Sequence, residues 1–179
     1  MFHIAIPLIM LEIPRIKKSY KFNRLALIIG SMFPDIMDKM IMFLKLAYGR
    51  SYFHSLLYIF VCFAILLLLS RNNKPISLSF LIGEIFHVIL DLPDVPLFYP
   101  FIYSDFTYQG NPFSEWIHTL LTDPKIQITE IIGGFILGFI IVNNKLYKMI
   151  NILNYLKTNP NIIGLIKQDA KVVLAEKNQ

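Results

Sequence analysis

Between Gly83 and Asp91 the chain reads GEIFHVILD, and three ionisable residues, Glu84, His87 and Asp91, interrupt an otherwise oily run. On a helix His87 and Asp91 stand at i and i+4, on one face, a spacing that can present an imidazole and a carboxylate to one ion. Two other segments carry comparable groups: GSMFPDIMDK, Gly30 to Lys39, and GRSYFHS, Gly49 to Ser55. Asp35 and Asp38 lie one helical turn apart. Gly30 and Pro34 are expected to loosen the helix where these acids begin, freeing backbone carbonyls. Asp35, Asp38, His54, His87 and Asp91 are therefore the expected metal ligands. They form an N/O donor set without thiolate, suited to zinc first and to manganese or a similar divalent ion second. A lone histidine such as His54 is ordinarily a satisfied polar residue. The weight lies in the number of groups, because unpaired carboxylates in apolar surroundings are expensive wherever they sit. Glu84 suits a helix–helix hydrogen bond as well as a ligand role, and Glu130 is similar. The pair Glu115 and His118 reads as a solvated helix face.

The elements that must position these residues are those of a membrane protein. The 179 residues are 55% hydrophobic and 16% charged, against roughly 45–50% and 25% in soluble domains. Tyr52 to Ser70 holds one histidine and no formal charge and would be about 28 Å long as a helix, enough to cross a bilayer. Ile126 to Val142 is nearly as apolar, and its Gly133, Gly134 and Gly138 permit close helix approach. Leu25 to Leu46 and Ile76 to Leu92 have spanning length, and their acids require them to face protein or water rather than lipid. The expected fold is all-α: about four transmembrane helices around a polar metal-binding centre. Residues 1–142 form the membrane-embedded domain. Residues 143–179 form a cytoplasmic amphipathic and polar tail, with Leu146, Met149, Ile150, Leu153 and Leu156 at helical spacing. The apolar stretch at residues 2–13 is too short to cross, lacks a basic region and a small-residue cleavage site, and is expected to stay in the mature chain as a re-entrant or interfacial segment.

Charge sets the expected orientation. The net charge is +5 and the pI about 9.3, but the basic residues flank hydrophobic runs instead of interleaving with groove-reading segments, so no nucleic-acid partner is expected. Thirteen of the 17 lysines and arginines fall before the first span, in the turn Arg71 to Lys74, or in the tail. The positive-inside rule then puts both termini in the cytoplasm and the polar groups toward the outer side. The aromatic residues Phe98, Tyr99, Phe101, Tyr103, Phe106 and Tyr108 read as a belt at the outer interface. The single cysteine, Cys62, lies in an apolar run and excludes an intramolecular disulfide framework and a thiolate zinc cluster.

GSMFPDIMDK, GRSYFHSLL and GEIFHVILDLPD with the later FYPF together resemble the membrane-bound metal-dependent hydrolase family, described as LexA-binding, inner-membrane-associated hydrolases. That family's pattern falls here on His3; on Gly30, Ser31, Pro34, Asp35 and Asp38; on Arg50, His54 and Ser55; and on Gly83, His87, Asp91, Pro100 and Phe101. The resemblance covers about residues 1–140. Gly49 stands where many members have a histidine, and the second acid follows the first by three residues rather than two, as in a P-D-x-x-D-K branch. The resemblance implies an inner (cytoplasmic) membrane location and a metal-dependent hydrolase.

Two functions follow. In the first, an embedded hydrolase acts through metal-activated water on an amphiphile, a phosphoester or another ester, at the bilayer. Arg50, one turn before His54, stabilises developing charge, and His3 serves as ligand or general base. In the second, a non-catalytic metal-stabilised scaffold or ion-handling protein uses the same polar centre to tie its helices together.

Overall fold

The computed structural model describes residues 1–19, 21–44, 52–102 and 112–157, and within these every regular element is a helix. The helices are α1 (Phe2–Leu11), α2 (Pro14–Ser19), α3 (Arg24–Phe43), α4 (Leu56–Leu69), α5 (Lys74–Leu90), α6 (Pro112–Thr122), α7 (Pro124–Asn143) and α8 (Met149–Lys157). Their starts follow local chemistry. Asn23, Ser55, Asn73 and Asp123 each accept a backbone N–H with the side chain at the first turn of α3, α4, α5 and α7, satisfying donors a helix leaves open. Between α4 and α5 the turn closes through Arg71 and Asn72, both in the left-handed region at φ 53° and 62°.

The principal packing is α3 on α5. A Cβ at Gly30 would collide with the Phe80 carbonyl, and one at Gly83 with the Leu27 carbonyl and the Ser31 amide. Glycine at both positions lets the two backbones touch, so side chains from both helices reach a common point. The helices α3 and α5 finish at the end where α4 and α1 begin, and this end carries the polar residues. At the opposite end Arg24 is buried. Its guanidinium donates to Glu12 at 3.0 Å and to the Tyr155 carbonyl at 3.4 Å, and lies 4.3 Å above the Tyr155 ring. Burial first, and then the Glu12 carboxylate, push the Tyr155 phenol above its ordinary range. This contact pins α8 to the start of α3. Leu146 packs inward, while Met149, Ile150 and Leu153 stay exposed.

The short α1 departs from one expectation. Its first turn lies at the polar end and its last at the end where α8 docks, so the N-terminal segment does not start on the side of the tail. The reason is length: ten residues rise only about 15 Å, and Ala5, Pro7, Leu8 and Leu11 are buried where α1 wedges between α7 and the α3–α5 pair. Gly133 receives α1 closely, since a Cβ there would meet Phe2 at 2.7 Å, whereas Gly134 and Gly138 face open space.

Among the described residues one helix, α7, is long and apolar enough to cross a membrane, and only 11% of its window is buried inside the protein. By the same measure α4 and α5 are short, at 14 and 17 residues, and α3 carries Asp35, Asp38 and Lys39. Large apolar side chains nevertheless cover the outer faces of α4 and α7, including Phe60, Ile65, Leu68, Phe135 and Val142. Such a continuous apolar surface marks contact with lipid or another apolar partner.

Candidate metal centre

Three elements build the centre. Asp35 and Asp38 come from the last half of α3, His54 from the residues just before α4, His87 from the last turn of α5, and Asp91 caps α5. The His54 and His87 rings are buried, at 0% and 1% exposure. Their Nε2 atoms face each other at 3.1 Å.

The other ring nitrogens decide what that pairing means. His54 Nδ1 lies 2.7 Å from Asp38 Oδ2, and His87 Nδ1 lies 2.8 Å from the Ser31 carbonyl. A carboxylate and a carbonyl can only accept, so both Nδ1 atoms donate. In neutral rings both Nε2 atoms then carry lone pairs, pointed at one another in a buried site. Such an arrangement needs a proton or a cation between them. The carboxylates favour positive charge there, whether a proton or a metal ion. Asp35 Oδ1 is 3.6 Å from His54 Nε2 and 3.7 Å from His87 Nε2; Asp91 Oδ2 is 3.5 Å and 3.4 Å from the same atoms. All four donors fall within 4.8 Å of one another. Ligands around a tetrahedral ion with bonds near 2.0 Å stand about 3.3 Å apart, and the imidazole–imidazole and imidazole–carboxylate separations, from 3.1 to 3.7 Å, lie close to that.

The expected ligands thus divide by position. Asp35, His54, His87 and Asp91 converge, while Asp38 stands behind His54, accepting from its Nδ1 and from the Phe53 amide at 3.3 Å. Such a carboxylate fixes the tautomer and raises the basicity of the imidazole. Pro34 has no N–H to give the Gly30 carbonyl, and the adjacent Ser31 carbonyl accepts from His87. His3 reaches the same place from α1: its Nε2 lies 2.9 Å from Asp91 Oδ1, and its ring centroid is 4.6 Å from that of His87. Arg50 lies outside the described residues.

The remaining polar residues sort differently. His118 is exposed and bonds Thr122 on its own helix. Glu130 pairs with the Met1 amine at 2.6 Å. Glu84 is buried one turn before His87, and the expected helix–helix hydrogen bond is not formed at its Oε2. Of the aromatic belt, Phe98 and Phe101 are exposed and Tyr99 packs edge-on to Tyr52; Tyr103, Phe106 and Tyr108 lie outside the described residues. Sequence reasoning did not single out Lys39, whose Nζ lies 3.7 Å from Asp35 Oδ2. The i, i+4 spacing of the two residues was the available signal.

Comparison with known proteins agrees with this setting. The model of the YdjM inner membrane protein family matches residues 2–154, and the chain belongs to that family. It is accordingly an inner-membrane protein, and the matched region contains the whole cluster. No curated protein and no solved structure matches.

Proposed function

We propose that this member of the YdjM inner membrane protein family is a membrane-embedded metal-dependent hydrolase acting on a phosphoester or other amphiphilic ester at the bilayer surface. The observation that supports this reading is the facing pair of Nε2 atoms, tied back at both Nδ1 positions and flanked by Asp35 and Asp91. In the proposed architecture α3, α4, α5 and α7 cross the membrane, with their polar residues turned to the centre. Residues 1–142 are the embedded domain and residues 143–179 a cytoplasmic tail.

Asp35, His54, His87 and Asp91 would hold the ion, zinc first and manganese as the alternative, by the N/O character of the set. An ion held by these four residues would supply Lewis acidity and activate water for hydrolysis. The protein's own residues do the rest. Asp38 and the Ser31 carbonyl hold the two imidazoles in the tautomer that presents Nε2. Asp91 Oδ1 accepts from His3 Nε2, which leaves Nδ1 with the lone pair, and His3 is assigned the general-base role. Burial of His54 and His87, against 36% exposure of Asp35 and 29% of His3, makes the Asp35 and His3 side the accessible one. Arg50 is assigned to the developing negative charge.

Elemental analysis of detergent-purified protein, with a screen of phosphoesters and lipid esters, tests the proposal. One equivalent of metal and turnover lost on chelation are expected. Metal without turnover across the screen would favour the scaffold reading. In an active preparation Arg50→Ala should keep the metal and lose turnover by a factor on the order of 100; wild-type turnover would remove Arg50 from its role.

A further inference from the structure

The flank of α3 beside the centre is covered for only part of its length. Arg24 and Ile28 lie on this flank, and so do Asp35 and Lys39, which follow Ile28 by 7 and 11 residues and return to nearly the same helical direction. Along the lower half α1 and α8 close it: Ile28 packs against the cluster of Leu8, Leu11, Leu27 and Ile140, and the Arg24 side chain is 5% exposed. Higher up, α1 has already reached its first turn, where His3 meets Asp91. The flank opens there, and the exposures rise to 36% at Asp35 and 55% at Lys39. Around the corner of the same helix Ile29, Met32 and Ile36 form an exposed apolar face. A cation and one carboxylate of the centre therefore stand on the border between the polar site and a greasy helix surface.

We infer that the centre is entered sideways from the lipid, by an anionic amphiphile with a phosphate headgroup. Lys39 draws the headgroup and determines specificity, and the Ile29, Met32 and Ile36 face seats the chain. This rests on the hydrolytic reading above and gives it a substrate class. Its physical basis is the pairing of two surfaces. A water-soluble phosphoester has no use for an apolar face beside its binding cation, and a neutral lipid has no use for the cation. Lys39 Nζ stands 3.7 Å from Asp35 Oδ2, so a phosphate drawn to the ammonium arrives beside a carboxylate of the centre. A lysine stem also lies along apolar surface while its head stays at the polar boundary.

The test uses the full chain in phosphatidylcholine nanodiscs and, as probe, dodecyl phosphate carrying a diazirine in its chain. Photolysis should label the segment spanning residues 25–36. Lys39→Gln should cut the yield about tenfold and Lys39→Arg should restore it, as expected for loss and return of one charge-assisted contact. Butyl phosphate should compete at least about a hundredfold more weakly than unlabelled dodecyl phosphate, since each buried methylene contributes roughly 0.8 kcal/mol. Labelling confined to α4 or α7, wild-type labelling in Lys39→Gln, or equal competition by butyl phosphate would each overturn the inference. Metal content measured on the same samples separates the two claims. Labelling as described without metal sinks the hydrolase and keeps the amphiphile site, whereas metal with no labelling sinks the site alone.

Discussion

His54 and His87 present their Nε2 atoms to each other across 3.1 Å while Asp38 and the Ser31 carbonyl occupy their Nδ1 atoms. Neither ring can turn away without breaking a buried hydrogen bond, at about 1–3 kcal/mol for the group left unpaired. The pair belongs to a group that could hold a metal ion, and an ion between the two rings would make them act as one unit.

His54→Ala and His87→Ala should each abolish bound metal, and the double variant should hold no less than either single one. Removal of one ligand leaves the others as uncompensated buried groups, so losses do not add. His118→Ala, on an exposed helix away from the cluster, should leave metal content unchanged. Elemental analysis reads all four, and full metal in both single variants would mean that the cluster holds none.

Asp38→Ala separates orientation from ligation. Because Asp38 contacts His54 Nδ1 and the Phe53 amide, its loss should weaken metal affinity about 10–100-fold without abolishing binding. Titration against a competing chelator gives the number. Complete loss would make Asp38 a ligand, and no change would make it a bystander.

Gly83→Ala should separate α3 from α5 and take the metal centre with it. The new methyl meets backbone at Leu27 and Ser31, and backbone cannot move as a side-chain tip can. Overpacking of this kind costs roughly 1–3 kcal/mol, and it shifts the carbonyl that holds His87. Gly134→Ala has open space around it and should leave thermal stability within about 0.5 kcal/mol or raise it slightly. Equal melting temperatures for the two variants would contradict the close crossing.

Cysteines placed at Ser114 and Asn144, on a Cys62→Ala background, test the membrane arrangement. They flank α7, whose length and hydropathy suit one crossing, so an impermeant thiol reagent added outside intact cells should label position 114 and spare 144. Labelling of both from one side would show that α7 does not cross.

The sequence by itself determined the helical class, the membrane setting and the identity of the polar residues. Those follow from local facts: uninterrupted apolar runs around Phe60 and Phe135, the i, i+4 spacing of His87 and Asp91, and the placement of lysines and arginines beside oily segments. What His54 does is not local. It lies 16 residues from Asp38 and 33 from His87, and only the crossing of α3 on α5 at Gly30 and Gly83 decides that Asp38 stands behind the ring while Asp35 stands before it. Helical spacing placed the two aspartates on one face, and it could not say which nitrogen of which histidine each would meet. The direction of α1 was equally hidden. Ten apolar residues are compatible with lying on a membrane or dipping into it. The wedge between α7 and the α3–α5 pair, where Ala5, Leu8 and Leu11 are buried and Gly133 lets the backbones approach, fixes His3 against Asp91, because close packing of this kind, rather than length or composition, decides how helices associate in a membrane.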